Sequence, residues 1–266
     1  MPDPFQNVDA AGPDFVAYFA DVMDVRQSEP VMEEIVRDYL APLTFGPGTL
    51  TVEIGCGAGA VSRRIADHAA PGMVRAFDPS SGFIGEARSR ADGRDNLAFD
   101  VADGTALPVE DDAADHVVIH TVLTHTPDPD AVIAEAARVL RPGGPLVVCD
   151  SDFSKGTLGS APNDPLAACS GAFVSGFVTD PYITGKLRPM ALAAGFVIET
   201  FALRSRVVTG EGMMPWVKMP AQAMVERGEI GQPLADALCA EYDRRVEAGT
   251  LYGYQAFVTM TARKPA

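Results

Sequence analysis

A run of β-forming residues, Leu50-Thr51-Val52-Glu53-Ile54, passes directly into Gly55-Cys56-Gly57-Ala58-Gly59, and a helical pattern follows at once. A buried strand that ends in alternating glycines lets the backbone turn sharply. It also lets a ligand come closer than a Cβ would permit. The helix behind the turn, about residues 58–69, aims its unpaired N–H groups at whatever lies over the glycines. In outline this is a nucleotide-type ligand site, and its neighbours must say which ligand it holds.

Strands and helices alternate from residue 49 onward. The expected strands are 49–54, 73–77 (ending at Asp78), 97–101, 116–120 and 145–149; the expected helices are 58–69, 81–91 and 129–140. The stop Arg141-Pro142-Gly143-Gly144 separates the third of these helices from strand five. Near-continuous apolar strands alternating with amphipathic helices imply α/β architecture, with a parallel sheet covered on both faces. Two helices precede the first strand, at 14–25 and 31–40. Phe15, Phe19 and Met23 lie four apart in the first, and Val31, Ile35 and Tyr39 in the second. The pattern changes after strand five. Residues 151–180 have weak periodicity, a helix runs over 184–194, and a sixth strand starts at 196. A methionine-rich stretch around 213–219 is broken by Pro215 and Pro220; a helix at 233–246 and a last strand at 252–262 follow.

Composition excludes several function classes. With 36 Asp+Glu against 21 Lys+Arg, a formal charge of −15, the chain lacks the basic face that a nucleic-acid partner demands. No apolar run approaches the roughly 20 residues of a membrane span, and the first fifteen residues carry no signal-peptide pattern. Cys56, Cys149, Cys169 and Cys239 are scattered, with no CxxC pair or Cys/His cluster, so neither a metal site nor a disulfide framework is expected. A reduced, cytoplasmic setting is the default.

Taken alone the glycine turn is ambiguous, because Gly55, Gly57 and Ala60 also satisfy the pattern of nicotinamide and flavin proteins. Three acidic positions bear on the choice. Glu53 ends an apolar strand, where a carboxylate is costly to bury without a hydrogen bond or a cationic ligand. Asp78 closes strand two, where ribose hydroxyls would lie, and Asp103-Gly104 follows strand three, where an adenine amino group would need an acceptor.

With VEIGCGAGAVS (52–62), RAFDPS (75–80), DVADGTALPVEDDAADHVV (100–118), HTPDPDAVIAEAARVLRPGGPLVV (125–148) and ALAAGF (191–196) in this order, the chain resembles the class I S-adenosylmethionine-dependent methyltransferases. More narrowly, it resembles their ubiquinone/menaquinone-biosynthesis-type and small-molecule natural-product branch. The resemblance implies a Rossmann-like, seven-stranded, mostly parallel sheet with helices on both faces and an antiparallel last strand, an N-terminal helical cover and a lid insertion before that strand. It also implies a single domain over 1–266. Residues 1–45 would be the cover, 46–150 the cofactor-binding core, and 151–266 the substrate-side segments and last strands.

The implied cofactor is S-adenosyl-L-methionine, with S-adenosyl-L-homocysteine as product. Glu53, Gly55, Cys56, Gly57 and Gly59 would surround its methionine part. Asp78 would take the ribose hydroxyls with Pro79 and Ser80 alongside, and Asp103 and Gly104 would meet the adenine. His120 would lie near the methionine portion, and Tyr18 and Arg26 would reach in from the cover. A general base is needed only if the acceptor keeps its proton; His120, His125 and Asp152, after strand ends, are the candidates.

Apolar residues in the departures from the family pattern suggest where an acceptor would bind. Phe153, Phe173, Phe177, Met214 and Trp216, with Phe15 and Phe19 of the cover, suit an apolar small molecule. The expected activity is methyl transfer to oxygen, carbon or nitrogen of such a molecule in secondary metabolism. The alternative is a protein of the same fold that binds the cofactor without transferring its methyl group, as a cyclisation catalyst or binding subunit. Monomer and homodimer both stay open.

Overall fold

Short apolar strands build the centre of the molecule, whose computed structural model describes residues 3–266. β1 (Leu50–Ile54), β2 (Met73–Asp78), β3 (Leu97–Val101), β4 (His116–His120) and β5 (Pro145–Thr157) lie parallel to one another. β6 (Val197–Val208) and β7 (Gly253–Arg263) complete the sheet, with β7 antiparallel to both β5 and β6. The order is β3-β2-β1-β4-β5-β7-β6, the seven-stranded, mostly parallel sheet with an antiparallel last strand that the motifs implied. The order reverses between β1 and β4. A crevice must open there, outside the carboxyl ends of the strands, because their connections leave in opposite directions.

Alternate residues of the strands feed two cores. Val52, Ile54, Val117 and Ile119 face α5 (Pro129–Val139) and α7 (Ile183–Ala193), through Val132, Ile133, Ile183 and Leu187. Val74, Val118 and Val147 face the other way, onto α2 (Pro30–Leu40) and α3 (Ala60–Ala69). The period of two along the strands thus sets both helical layers. α1 (Pro13–Gln27) lies outside this layer, tied by Asp24 to Arg63 of α3 and to Arg90, which follows α4 (Ser81–Ser89). The helix starts are legible in the sequence. Asp128 caps α5 on the Ala131 N–H at 3.0 Å, with Pro129 in the first turn, and Ser80 caps α4 on the Phe83 N–H at 3.0 Å.

The chain after β5 is more regular than its sequence pattern suggested. β5 does not stop at residue 149 but continues to Thr157, and the weakly periodic stretch contains α6 (Pro165–Phe177). α6 buries Leu166, Cys169, Phe173 and Phe177 beneath α8 (Pro215–Glu226) and α9 (Gln232–Glu247), but its exposed face carries only small residues, Ala168, Gly171 and Ser175, so the sequence shows little amphipathic contrast. Pro215 and Pro220 do not break α8. Pro215 occupies its first turn, where a missing N–H costs nothing, and Pro220 forgoes one ladder bond inside a helix held by packing. A 3₁₀ segment, Pro4–Ala11, precedes α1 and has no counterpart in the sequence reading.

Between β6 and the cover lies a buried ion pair. Arg206 is 1% exposed and donates to Glu29 at 2.6 and 2.5 Å, to Gln255 Oε1 at 2.8 Å and to the Gly212 carbonyl at 3.3 Å. A guanidinium so enclosed needs its carboxylate, because an uncompensated buried charge is strongly destabilising. Glu29→Ala is therefore expected to cost about 3 kcal/mol, the low end for breaking such a pair because Glu29 is partly exposed. Urea unfolding measures it. A loss below 1 kcal/mol would mean that water reaches Arg206.

Candidate active site

Four strand ends converge on one cleft of about 270 Å³. Gly55 and Gly57 come from the turn after β1, Asp78 and Pro79 from the end of β2, Asp103 and Gly104 from the loop after β3, and Thr121, Val122 and His125 from the loop after β4. The glycine turn is folded against the neighbouring strand: the N–H groups of Gly55 and Cys56 both donate to the Phe77 carbonyl, at 2.7 and 2.9 Å. Gly55 and Gly59 have φ of +74° and +76°, a conformation that disfavours any side chain. A Cβ on Gly55 would also lie 2.7 Å from Val122 Cγ1, and one on Gly59 2.8 Å from the Phe99 ring. Turn and wall therefore touch with only hydrogens between them.

Asp78 organises the cleft wall. It is 8% exposed, and its carboxylate accepts from the Gly57 N–H at 2.8 Å and the Ser80 N–H at 2.9 Å. Burial nevertheless pushes its pKa up to about 6, against the lowering effect of those two bonds. Glu53 lies beneath the turn, 1% exposed, accepting from the Ser62 hydroxyl; burial drives its pKa up to about 7. Asp103 is exposed at the cleft rim, where its Oδ1 takes the Thr105 N–H at 2.9 Å and hydroxyl at 2.8 Å.

The remaining sequence-derived candidates divide clearly. Cys56 is buried inside the turn, its thiol raised by burial, and Ser80 is the cap of α4. Arg26 reaches Thr121 Oγ1 at 3.1 Å, beside the cleft, while its Nε is buried without a partner. Tyr18 turns away, edge-on to Phe19 and under Lys218 of α8. His120 does not line the cleft: it is buried behind it, Nδ1 at 3.1 Å from the Tyr39 hydroxyl, and burial and Arg26 press its pKa down to about 3. A base pressed down so far stays neutral at ordinary pH. Asp152 also lies off the cleft, its Oδ1 accepting from Ser154 Oγ at 2.5 Å. His125 does line the cleft, with Nδ1 2.7 Å from Asp3.

The expected acceptor aromatics pack mainly on one another. Phe153, Phe173 and Trp216 stack at 4.9–6.3 Å between centroids, and Phe177 stacks on Phe173 at 5.5 Å. Met214 packs at the margin of the same lid core. Phe15 and Phe19 pack at a tilt, 4.5 Å between centroids, and meet Phe5 at 5.8 and 4.9 Å. Apolar content in loops had signalled a pocket, but large apolar side chains bury one another unless something holds them apart. The cleft residues that sequence reasoning missed include Phe5, Gln6 and Val8, from the 3₁₀ segment, and Thr121 and Val122. Thr121, at φ +55° between β4 and His125, was within reach of the rule that α/β sites gather after strand ends.

Residues 52–148 match the family model described as a methyltransferase domain. Methyltransferase GfsG of Streptomyces halstedii is 31% identical over 165 residues, 61% of this chain and 56% of that protein. The ubiquinone/menaquinone biosynthesis C-methyltransferase UbiE of Acidiphilium cryptum is 32% identical over 133 residues, 49% and 53% of the two chains. The chain spans about half the length of the curated relatives it matches. Among solved structures, the [4+2]-cyclase SpnF shares the fold at a TM-score of 0.55 and 22% identity, covering 88% of this chain and 82% of that one. Among the described residues no group of side chains could hold a metal ion, and no helix is long and apolar enough to cross a membrane.

The raised carboxylates set a direction for stability. A group whose folded pKa lies above its unfolded one stabilises the folded state while protonated, and that contribution is lost as pH rises through the folded value. Glu53, moving from 4.5 to about 7, should thus cost the ligand-free protein on the order of 3 kcal/mol between pH 4.5 and 7. Glu53→Gln removes that slope. Urea unfolding at pH 5 and 7.5 compares the two proteins, and identical pH dependence would show that Glu53 titrates normally.

Proposed function

We propose that this chain is an S-adenosylmethionine-dependent methyltransferase acting on an apolar small molecule, in secondary metabolism. The observation that carries the reading is the convergence of the glycine turn, Asp78 and Asp103 on one cleft at the order reversal of the sheet, within residues that match a methyltransferase domain. The cleft chemistry fits the cofactor. Gly55 and Gly57 leave backbone open to the ligand, and Asp78 and Asp103 are acceptors for hydroxyl and amino donors. Arg26 brings a positive charge beside Thr121, with its Nε and the His120 Nε2 buried and unpartnered. A bound carboxylate is the natural complement of that guanidinium.

When bound, S-adenosylmethionine supplies an activated methyl group, whose bond to sulfur breaks with the electron pair left on sulfur. The protein then has little covalent chemistry to perform. It must hold the acceptor in line, keep water away and receive a proton where the acceptor has one to lose. Phe5, packed on His125 at the cleft, supports an apolar acceptor, and His125 is the cleft residue suited to take a proton. The likeness to a [4+2]-cyclase keeps a second reading in view, in which the same fold binds the cofactor without giving up its methyl group.

Two measurements test the proposal. S-Adenosylmethionine should raise the melting temperature where a nicotinamide dinucleotide does not, since only the folded state binds. A labelled-methyl screen over small-molecule classes should then find an acceptor; cofactor binding with no transfer to any class would favour the second reading. Asp78→Ala should weaken cofactor binding about tenfold or more, since hydrogen bonds to a carboxylate are worth roughly 1.5–3 kcal/mol. Calorimetric titration below the variant's melting temperature reads this. Unchanged affinity would remove Asp78 from the site.

A further inference from the structure

The segment Pro4–Ala11 lies over the cleft and contributes Phe5, Gln6 and Val8 to its lining. A carboxylate fastens each end. Asp9 holds the start of α4, accepting from the Ser80 hydroxyl at 2.5 Å, the Ser81 N–H at 2.9 Å, the Ser81 hydroxyl at 2.8 Å and the Gly82 N–H at 3.1 Å. That is a helix N-terminus satisfied by an acid, and it asks for no further explanation. Asp3 is different. It is 7% exposed; its Oδ1 accepts the Phe5 N–H at 2.9 Å, and its Oδ2 accepts the Thr179 N–H at 3.0 Å, the Thr179 hydroxyl at 2.8 Å and Nδ1 of His125 at 2.7 Å.

Three of those bonds suffice to anchor the segment. The fourth determines chemistry. A carboxylate that takes the Nδ1 proton fixes the imidazole in one tautomer and leaves the lone pair on Nε2. Among the described residues Nε2 has no hydrogen-bond partner, and the ring lies at the cleft, pressed by Phe5 at 4.6 Å and edge-on to Phe153 at 6.0 Å. We propose that Asp3 is a positioning residue for proton removal: from the N-terminal segment it orients His125 so that Nε2 receives the proton of the methyl acceptor. This deepens the methyl-transfer reading and rests on it. The acceptor gains one methyl group and loses one proton. The proton goes to Nε2, the imidazolium is held against Asp3, and water takes the proton after the product has left. The acceptor class follows. It carries an O–H, N–H or acidic C–H, and is not a tertiary amine or a thioether.

Because Asp3 precedes the segment that lines the cleft, the residues that orient the base and those that cover the site are neighbours in the chain. Nitrogen NMR of protein labelled at its four histidines reads the tautomer without any acceptor. At pH 8 the ligand-free wild type should show His125 protonated at Nδ1 alone. Asp3→Ala should convert it to a mixture, and Asp3→Asn, whose amide oxygen still accepts from Nδ1, should restore it. With an acceptor from the labelled screen, Asp3→Ala should lower kcat tenfold or more while the melting shift with S-adenosylmethionine persists. A wild-type His125 protonated at Nε2, or an unchanged tautomer in Asp3→Ala, overturns the proposal; the wild-type spectrum decides even if the variant does not fold. Failure of the methyl-transfer reading is seen separately, as a wild type whose melting temperature ignores S-adenosylmethionine and which methylates nothing.

Discussion

Two backbone N–H groups from the ends of neighbouring strands meet on one carboxylate, and the site depends on that meeting. Asp78 takes the Gly57 N–H from the turn after β1 and the Ser80 N–H from the start of α4. It thereby fixes the distance between two strand ends and the direction in which α4 departs. The parallel pairing of β1 with β2, continued by the Gly55 and Cys56 bonds to the Phe77 carbonyl, brings the strand ends together, and the turn beyond them is held by Asp78. Asp78 does so as a desolvated carboxylate, and burial raises it to about 6. A ligand that offers donors to the same oxygens would relieve a strain already present in the ligand-free protein.

The same logic extends beneath the turn. Glu53, His120 and Arg26 are polar groups placed where burial opposes their charge, and each is shifted toward its neutral form, Glu53 to about 7, His120 to about 3 and Arg26 to about 10. In an ordinary core such groups would be fully paired, yet the His120 Nε2 and the Arg26 Nε have no partner. Perturbed groups that gather around one cleft mark a site shaped for a ligand with charges of its own. A net charge of −15 adds to this, since an acidic protein attracts a cationic ligand over long distances.

How much of this was legible depended on whether the signal was local. β1, its glycine turn and α3 are written in one continuous stretch, and so are the caps Ser80 and Asp128, because strand, turn and cap preferences act over a few residues. The parallel character of the sheet followed from the alternation of elements, and its seven strands with an antiparallel last one from the motif resemblance, whereas the strand order came from the structure. α6 was not legible, because its exposed face carries Ala168, Gly171 and Ser175 in place of charged residues and so gives little amphipathic contrast, and prolines in α8 read as breaks although packing holds the helix. His120 and Asp152 looked like cleft-lining residues from their places after strand ends, but which way a side chain turns is settled by partners such as Tyr39 and Ser154, and both lie behind or beside the lining. The pairing of Asp3 with His125 spans 122 residues and has no periodic trace. Nothing within reach of either residue announces the other.

The lid and the N-terminal segment solve different problems, and the aromatic contacts show how they share the work. From Phe5 a chain of rings runs through His125 and Phe153 to Trp216 and Phe173. The far end is a packed core, in which a Cβ on Gly156 would collide with the Trp216 ring, so it has little freedom to move. The near end is held by the hydrogen bonds of Asp3 and Asp9 and by the packing of Phe5 and Val8 against Phe19 and Phe83. Between the two ends His125 has an aromatic wall on either side, Phe5 at 4.6 Å and Phe153 at 6.0 Å. Packing therefore confines the imidazole plane while Asp3 fixes its Nδ1 edge, so the ring's orientation is set before any acceptor arrives.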